Sequence, residues 1–206
     1  MTVPTLARPV SGPRKATGVR LSGIVHRAVP PGSVVDSTGE ALLAVLPDLD
    51  VVLLASPVGC QVARRGSGVS KAPAGAFAAL RIADGLCRRG ELGRGALFVH
   101  EGAAAVVLRL GVAGEAAVTE LDDVQARTPS LALADLLYRH PGIRVCAGPA
   151  LARRMAGTPY EDRLETAAGG VWAALARMWP VRDRVLLADY QAGALHSCVV
   201  VRRETS

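Results

Sequence analysis

The chain has 206 residues, half of them hydrophobic, and a formal net charge of +6. This length allows one sizeable core or two small coupled ones. Aromatic residues make up only 3%, so that core must be built from Ala, Val and Leu. Few aromatics and dispersed arginines argue against a nucleic-acid-binding module, which needs stacking rings or a basic stripe. No apolar run reaches the roughly 18–20 residues of a membrane span.

The cysteines and the N-terminus indicate where the protein works. Four cysteines form no CxxC pair and have no metal-ligand spacing, so we expect reduced thiols and no metal site. Residues 1–17 contain Pro, Thr and basic residues but no apolar core of a signal peptide. We therefore expect a flexible lead-in followed by a soluble, cytoplasmic globular protein.

The first half alternates between strand-like and helix-like segments from Gly18 onward. Alternating apolar and polar residues predict a strand, and an unbroken apolar run of strand length predicts a buried parallel strand. A polar cap before an amphipathic run predicts a helix. The resulting order is strand VRLSGIVHRAV, helix DSTGEALLAVLPDL, strand DVVLLAS, helix 73–89, and strands GALFVHE and AAAVVLRL.

The second half repeats this order after a break at 111–114. Its elements are strand EAAVTEL, helix TPSLALADLLYRH, strand GIRVCAG, helix 164–178, and strands DRVLLADY and HSCVVVRR. The repetition predicts a duplicated βαβαββ unit with halves at 18–110 and 115–203, although chance similarity between strand pairs stays an alternative. The helices at 73–89 and 164–178 are rich in Ala and Gly, so we expect them to be buried between sheets.

Two tandem halves that each end helix–strand–strand resemble the thiolase fold of β-ketoacyl synthases. AFAALRIADGLCRRGELGRGALFV is similar to the nucleophile helix of these enzymes and its following strand. LETAAGGVWAALARM is similar to their late GH…AAG helix, and LLADYQAGALHSCVVVRR to their closing Gly-rich turn and strand. The resemblance implies an α/β thiolase-like fold and a context of polyketide or fatty-acid biosynthesis.

The departures from the ketosynthase pattern fall on its catalytic positions. The cysteine corresponds to a position near Pro73, the first histidine to 146–148, and the second histidine to Arg163. None of these three positions holds the corresponding catalytic residue of a ketosynthase. The chain is also roughly half as long as a usual ketosynthase, which implies that the acyl tunnel and the dimer surface are reduced. The resemblance therefore implies binding rather than catalysis.

Cys60 is the candidate for a displaced nucleophile. It follows the strand DVVLLAS and a Pro-Val-Gly turn, and Arg64 and Arg65 could favour its thiolate. A half-buried cysteine at a strand end is the alternative, since no histidine stands close in the sequence.

Two histidines are further catalytic candidates. His100 precedes Glu101, as a general base with its orienting acid would, but neighbours on a strand point to opposite faces. His196 and Cys198 share a face of the last strand, yet two ligands do not make a metal site. Solvated strand ends and packing are the alternatives for these residues.

Other polar residues have simpler interpretations. His26 lies in a strand, and His140 at a helix end is expected to interact with the helix dipole. Solvated loop acids are expected at Asp122, Asp123, Glu161 and Asp162.

Ser70 and Lys71 lie in GSGVSKAPAG, directly before a predicted helix. Glycines, a hydroxyl and an amine before a helix can bind phosphate, although the P-loop order is missing. These two residues are therefore candidates to contact the phosphate of a phosphopantetheine arm. No other cofactor is expected.

Together these observations predict a non-catalytic ketosynthase-like partner, comparable to a chain-length factor, or a subunit that binds an acidic acyl carrier protein. Alternatives are a small acyltransferase that uses Cys60, or an unrelated α/β binding domain. We expect a homodimer or a heterodimer with an intact ketosynthase. Its seam is predicted at ALFVHE or a neighbouring strand.

Overall fold

The computed structural model describes residues in five ranges, 18–28, 38–101, 104–125, 128–166 and 169–202. The predicted flexible lead-in at 1–17 lies outside them. None of the helices in these ranges combines the length and the hydropathy of a membrane span.

The first half supplies six strands and two α-helices within the described residues. They are β1 (Arg20–Ala28), α1 (Gly39–Val45), β2 (Val51–Ser56), β3 (Gly59–Arg64), β4 (Gly68–Ala72), α2 (Ala76–Arg88), β5 (Arg94–Glu101) and β6 (Ala104–Gly111). The Thr38 side chain accepts a hydrogen bond from the backbone N–H of Ala41, which confirms the predicted polar cap of α1. The β3–β4 hairpin was not predicted, because its residues were assigned to a turn and a polar loop.

The second half supplies five strands and three α-helices within the described residues. They are β7 (Ala116–Gln125), α3 (Pro129–Arg139), β8 (Val145–Ala147), α4 (Pro149–Met155), β9 (Leu164–Thr166), α5 (Val171–Met178), β10 (Arg184–Gln191) and β11 (Ala194–Arg202). The prediction of one helix over 164–178 is wrong in its first part, which forms β9. Gly169 and Gly170 have φ of 83° and 92°, a left-handed conformation that delays the start of α5.

The strands form one sheet in the order β4-β3-β2-β5-β6-β1-β7-β11-β10-β8-β9. The series β1-β6-β5-β2 and β7-β11-β10-β8 match in order and in direction, with only their last pairs parallel. They join where β1 pairs with β7 through two residue pairs. Beyond them the first half adds the antiparallel β3–β4 hairpin and the second half adds the parallel β9. The exact boundaries at 18–110 and 115–203 stay a prediction.

Helices α2 and α5 lie between the two parts of the sheet. Helix α2 packs against β2, β3 and β5 on one side and β7 and β11 on the other, while α5 packs against β8 and β10 and against β1 and β6. The small side chains of Ala79, Ala83 and Ala173 are fully buried there. The Phe77 ring of α2 lies 5.0 Å from the Trp172 ring of α5, measured between centroids. The predicted burial of both helices is thus confirmed, with the two halves of one continuous sheet on either side of them.

Strand β5, which contains ALFVHE, pairs with β2 on one edge and with β6 on the other. Its neighbours β2 and β6 are also paired on both edges. These strands therefore have no open edge for a seam, and the predicted dimer seam at ALFVHE or a neighbouring strand stays a prediction. Among the described strands, the outer edges of the sheet belong to β4 and β9.

Candidate functional site

A cavity of about 610 Å³ lies beside α2, where β7, β10 and β11 present their side chains to this helix. Prolines, alanines and Ile82 form most of its wall. Its polar lining residues are Arg81, Asp123, Asp189, Gln191 and His196. An apolar wall with a few converging polar groups is the usual composition of a ligand-binding cavity.

A larger groove, of about 1150 Å³, lies on the outer face of the first half near α1, β5 and β6. The exposed side chains of Val25, Val45 and Leu46 border it. It gathers none of the predicted site residues, whereas the smaller cavity contains His196. The smaller cavity is therefore the candidate functional site, because it brings together titratable side chains and His196.

The chain turns into α2 at the cavity wall. Pro73 and Ala74 line the cavity, and Gly75 is the N-cap of the helix with φ 92°. The positive φ of Gly75 requires glycine, and a Cβ there would also stand 2.9 Å from Oε1 at the end of the Gln191 side chain, which would have to move. The position that the resemblance assigns to the nucleophile thus borders the cavity and holds a proline, which has no nucleophilic side-chain atom.

Three titratable side chains form a row across neighbouring strands. His196 of β11 lies directly opposite Asp123 of β7 and Asp189 of β10. Because directly opposed residues point to the same face of a sheet, all three face α2. Asp122 and Asp123 were predicted in a loop, and they lie instead in β7.

Arg81 of α2 connects this row to the helix. One terminal nitrogen, Nη2, donates to Nδ1 of His196 at 3.1 Å and lies 3.4 Å from Oδ2 of Asp123. The other, Nη1, donates to the backbone carbonyl of Asp122 at 3.3 Å. Burial lowers the pKa of Arg81, and the charge of Asp123 opposes this shift. The guanidinium stays charged at neutral pH, because the ordinary pKa of arginine lies far above 7.

His196 is held by stacking as well as by Arg81. Its ring lies 6.0 Å from the Phe77 ring at an interplanar angle of 21°. Burial and then the positive charge of Arg81 lower the pKa of His196, against the backbone carbonyl of Gln191 and the two carboxylates. The imidazole is therefore uncharged at neutral pH.

Asp189 is a buried carboxylate with its acceptors occupied. Oδ1 accepts from the backbone N–H of Leu151 at 3.1 Å and of Tyr190 at 2.8 Å. Oδ2 accepts from the side-chain amide of Gln191 at 3.1 Å. These bonds fix the first turn of α4 to β10. Asp189 is thus an anchor of the cavity wall.

The structure opposes a nucleophilic role for Cys60. The residue lies in β3 with 2% exposure, outside the cavity lining, and burial raises its pKa to about 11. Its thiol donates to the carbonyl of Gln61 at 3.7 Å. Arg64 instead pairs with Glu91, and Arg65 donates to backbone carbonyls near α1. The expected thiolate therefore lacks both solvent and cationic partners.

His100 and Arg163 lie apart from the cavity, whereas Gly148, at the position of the first ketosynthase histidine, packs against the lining residue Asp189. His100 is half-buried on β5 and does not line it. At 146–148, the residues are Cys146 and Ala147 of β8 and the N-cap Gly148. Arg163 ends a short 3-10 turn at 161–163 and donates to the carbonyl of Ile143. Of the sequence-predicted positions, Pro73 and His196 line the cavity, and Gly148 borders it through Asp189.

Ser70 and Lys71 occupy β4, so the predicted phosphate-binding loop before a helix is wrong. The Ser70 hydroxyl donates to the backbone carbonyl of Val62, as part of the hairpin. Neither residue lines the cavity. Their contact with phosphopantetheine stays a prediction without geometric support.

His140 is buried at the C-terminus of α3, as its position predicted. Its Nδ1 accepts from Arg184 at 3.0 Å, and its Nε2 lies 3.1 Å from Glu120 without forming a hydrogen bond. Burial lowers its pKa, with Arg184 and Arg139 adding to the shift against Glu120. The lowered pKa leaves the ring uncharged at neutral pH, and its interaction with the helix dipole stays a prediction. His26 is exposed on β1.

Metal-ligating residues do not cluster in the described ranges: no group of three His, Cys, Asp or Glu side chains there could hold an ion. His196 and Cys198 do lie on one face, and Arg81 acts electrostatically on both.

Sequence reasoning missed Arg81, Asp189 and Gln191. Nothing in the local pattern of the helix 73–89 distinguishes Arg81 from a solvent-exposed arginine. Asp189 could have been identified from the sequence, because it is a charged residue within the apolar strand VLLADY. A carboxylate buried in such a strand needs hydrogen-bond donors around it.

No family model and no curated protein matches this chain. Solved structures do match it. They include 3-oxoacyl-(acyl carrier protein) synthase III, FabH, from Pseudomonas aeruginosa, with TM-score 0.57 and 15% identity over 92% of this chain and 98% of that one. The corresponding synthase III from Aquifex aeolicus matches with TM-score 0.52 and 11% identity over 91% of this chain and 98% of that one.

OleA from Xanthomonas campestris, in a variant bound with cerulenin, matches with TM-score 0.49 and 10% identity over 61% of this chain. The match spans 60% of the OleA chain. The matches to the two synthases, together with the paired α/β halves of this chain, show a thiolase-like fold. At these identities the likeness is one of fold.

Proposed function

We propose that the protein is a non-catalytic, ketosynthase-like binding subunit of fatty-acid or polyketide-type biosynthesis. One observation carries the proposal. A cavity lies at the start of the buried helix α2, while Pro73 stands where the resemblance places a nucleophile. None of the described residues that line the cavity is Cys, Ser, Thr or Lys.

The alternative acyltransferase that uses Cys60 is less well supported. All four cysteines of the chain are buried, and Cys60 lies outside the cavity lining with its pKa raised. A thiol of this kind is a poor nucleophile, because the thiolate is the reactive form. The structure therefore favours non-covalent binding of an acyl group or of its carrier.

The test uses hexanoyl-N-acetylcysteamine, a neutral thioester, with intact-protein mass spectrometry. We expect no acyl adduct on the natural protein. In Pro73→Cys, the new thiol lies at the cavity wall, attacks the thioester carbonyl, and releases N-acetylcysteamine, so an adduct forms. Val69→Cys places a thiol on exposed β4 as the matched control and is expected to react more slowly. An adduct on Cys60 of the natural protein would overturn the proposal.

A carrier protein is one proposed partner. Carrier proteins are acidic and this chain has a net charge of +6. Exposed Arg153 and Arg154 lie on α4, on the same short helix as Ala150 of the cavity lining. We expect Arg153→Glu with Arg154→Glu to weaken binding of an acyl carrier protein measured by calorimetry. Arg64→Glu with Arg88→Glu is the charge-matched control, because these arginines lie away from α4 on β3 and α2 and pair with Glu91 and Asp84. Equal weakening by both variants would argue against docking at α4.

A second copy or an intact ketosynthase is the other proposed partner. The outer edge of β4 is unpaired among the described strands, and Val69 is exposed on it. Open strand edges with apolar side chains are usually covered. Light scattering with and without a co-expressed ketosynthase tests this. A monomer at micromolar concentration that the ketosynthase leaves unchanged would contradict it.

A further inference from the structure

The outward side of the sheet in the first half carries an apolar row. Leu97 and Val99 of β5 belong to the main core, so Phe98 between them points outward. Phe98 lies opposite Val107 of β6, and Val107 lies opposite Val25 of β1. Because directly opposed residues share a face, these three side chains form one row, which we call the open face. Helix α1 packs against β2 and β3, beside one end of this row.

The three residues of the open face all line the larger groove, of about 1150 Å³. Nine large hydrophobic side chains are exposed in the described ranges, and four of them border this groove: Val25, Val45, Leu46 and Val112. Contiguous exposed apolar patches usually mark interaction sites. The open face therefore has the character of a docking surface.

The second half shows what this fold places on such a face. Strands β5 and β10 begin with Arg94 and Arg184, which lie opposite Gly111 of β6 and Val201 of β11. The two halves therefore correspond residue by residue in these strand pairs. In the second half, helix α3 covers the outward side of β10 and β11 with three buried leucines at helical spacing, Leu133, Leu136 and Leu137.

The covering helix ends at the arginine of β10. Arg184 donates to Nδ1 of His140, the C-cap residue of α3, at 3.0 Å. Because Arg94 occupies the position of Arg184 in the first half, a helix laid on the open face in the same way would end at Arg94. This correspondence gives both the kind of occupant and its direction.

The charges that the occupant would meet differ between the halves. In the second half, Arg139 of α3 lies 3.3 Å from Asp122 of β7. Asp122 is opposite Ser197 of β11, and the corresponding position in the first half is Val25, opposite Val107. The open face thus lacks the carboxylate that receives the basic last turn of α3.

Two arginines take over the charged end of the open face. Arg109 lies opposite Ala96, two residues from Arg94, so the two exposed arginines are diagonal neighbours. Within the described part of the chain, neither side chain forms a hydrogen bond or an ion pair, and Asp48 at the groove pairs with neither. An acidic last turn of a helix would meet both guanidiniums, and the negative end of the helix dipole adds to the attraction.

We propose that the open face binds an amphipathic α-helix of a partner protein, with large apolar residues at positions i, i+3 and i+4 and with acidic residues in its last turn. The apolar side covers Phe98, Val107 and Val25, and the acidic turn pairs with Arg94 and Arg109. This inference is independent of ligand binding in the cavity beside α2.

The probe is a pair of synthetic peptides with the sequence of residues 128–140. One keeps the natural sequence, and the other carries Arg139→Glu and His140→Glu. A hydrocarbon staple between positions 131 and 138, which are exposed in α3, holds both peptides helical, because so short a helix is marginal in water. Fluorescence anisotropy of the labelled peptides with the full chain measures binding. We expect the acidic peptide to bind at least about fivefold more tightly, with the difference shrinking at high salt.

Charge reversal tests the direction of the helix. Arg94→Glu with Arg109→Glu is expected to reverse the preference, so that the natural peptide binds more tightly than the acidic one. Arg64→Glu with Arg88→Glu is the charge-matched control, since these arginines pair with Glu91 and Asp84 away from the groove, and it should keep the preference. Equal affinity of both peptides for the natural protein, or an unchanged preference after charge reversal, would overturn the proposal.

The apolar contact is tested by Val25→Asp, which is expected to weaken the acidic peptide about tenfold because an unpaired charge would be buried. Val69→Asp on β4 is the matched control, since Val25 and Val69 are 49% and 43% exposed. Binding of neither peptide to the natural protein would overturn the proposal. A dimer of the natural protein in light scattering that Val25→Asp dissociates would assign the open face to a second copy, which also overturns it.

Discussion

Gly148 packs directly against the carboxyl group of Asp189, which leaves no space for a larger residue at position 148. A Cβ built at Gly148 would stand 2.6 Å from Oδ2 of Asp189 and closer still to its carboxyl carbon. The backbone of Gly148 has φ −66° and ψ 161°, an ordinary extended conformation. Gly148→Ala therefore tests steric overlap alone, without backbone strain.

The magnitudes follow from what each substitution removes or adds. Overpacking by one methyl costs about 1–3 kcal/mol, so Gly148→Ala is expected in this range. Asp189→Ala leaves the buried N–H groups of Leu151 and Tyr190 without acceptors, at about 1–3 kcal/mol each, hence about 2–6 kcal/mol in total. In the double variant the clash disappears with the carboxyl group, so the combined cost falls below the sum by about 1–3 kcal/mol.

Urea unfolding followed by tryptophan fluorescence measures these free energies, since Trp172 is buried. Gly59→Ala is the control, because a Cβ at Gly59 meets no atom within 4 Å. We expect this control to unfold near the natural midpoint. The reasoning is refuted if Gly148→Ala resembles Gly59→Ala, or if the two costs at Gly148 and Asp189 simply add.

Three further predictions concern the core, the pH dependence and the thiols. Trp172→Ala, at the contact of α5 with Phe77, should destabilise the protein by about 3–5 kcal/mol in urea unfolding; a cost under about 1 kcal/mol would contradict burial of α5 between sheets. Because burial lowers the folded pKa of His140 below the ordinary 6.5, the unfolded chain binds more protons, so stability should fall as the pH drops through 6.5 and towards the folded pKa. His140→Gln should flatten this dependence in urea titrations, and an unchanged slope would count against it. All four cysteines should resist Ellman's reagent in the native state and react after unfolding, whereas rapid native labelling of Cys60 would argue against its burial.

The candidate site shows where sequence reasoning was informative and where it stopped. The placement of Pro73 at the cavity wall and the selection of His196 followed from chain pattern and resemblance. Their common cavity did not, because cavities arise from residues far apart in the chain. Arg81 and His196 are 115 positions apart, and only the packing of α2 on β11 makes them neighbours.

Local pattern by itself determined much of the secondary structure. The cap at Thr38, the apolar strand Val51–Ser56 and the amphipathic helix Ala76–Arg88 follow from short-range periodicity and capping chemistry, which act within a few residues. The order of these elements also indicated a duplicated α/β fold, because helices and strands differ clearly in the period of their apolar residues. The thiolase type followed from the resemblance to ketosynthase segments.

Tertiary structure alone decided the remaining features. The β3–β4 hairpin at 59–72 extends the sheet through the pairing of β3 with β2. Asp122 and Asp123 are strand residues because β7 pairs with β11. The burial of Asp189 depends on a donor from α4, and the contact of His196 with Arg81 depends on the packing of α2 against β11. Strand pairing and the desolvation of charges are set by partners distant in the chain, so no local window of the sequence contains them.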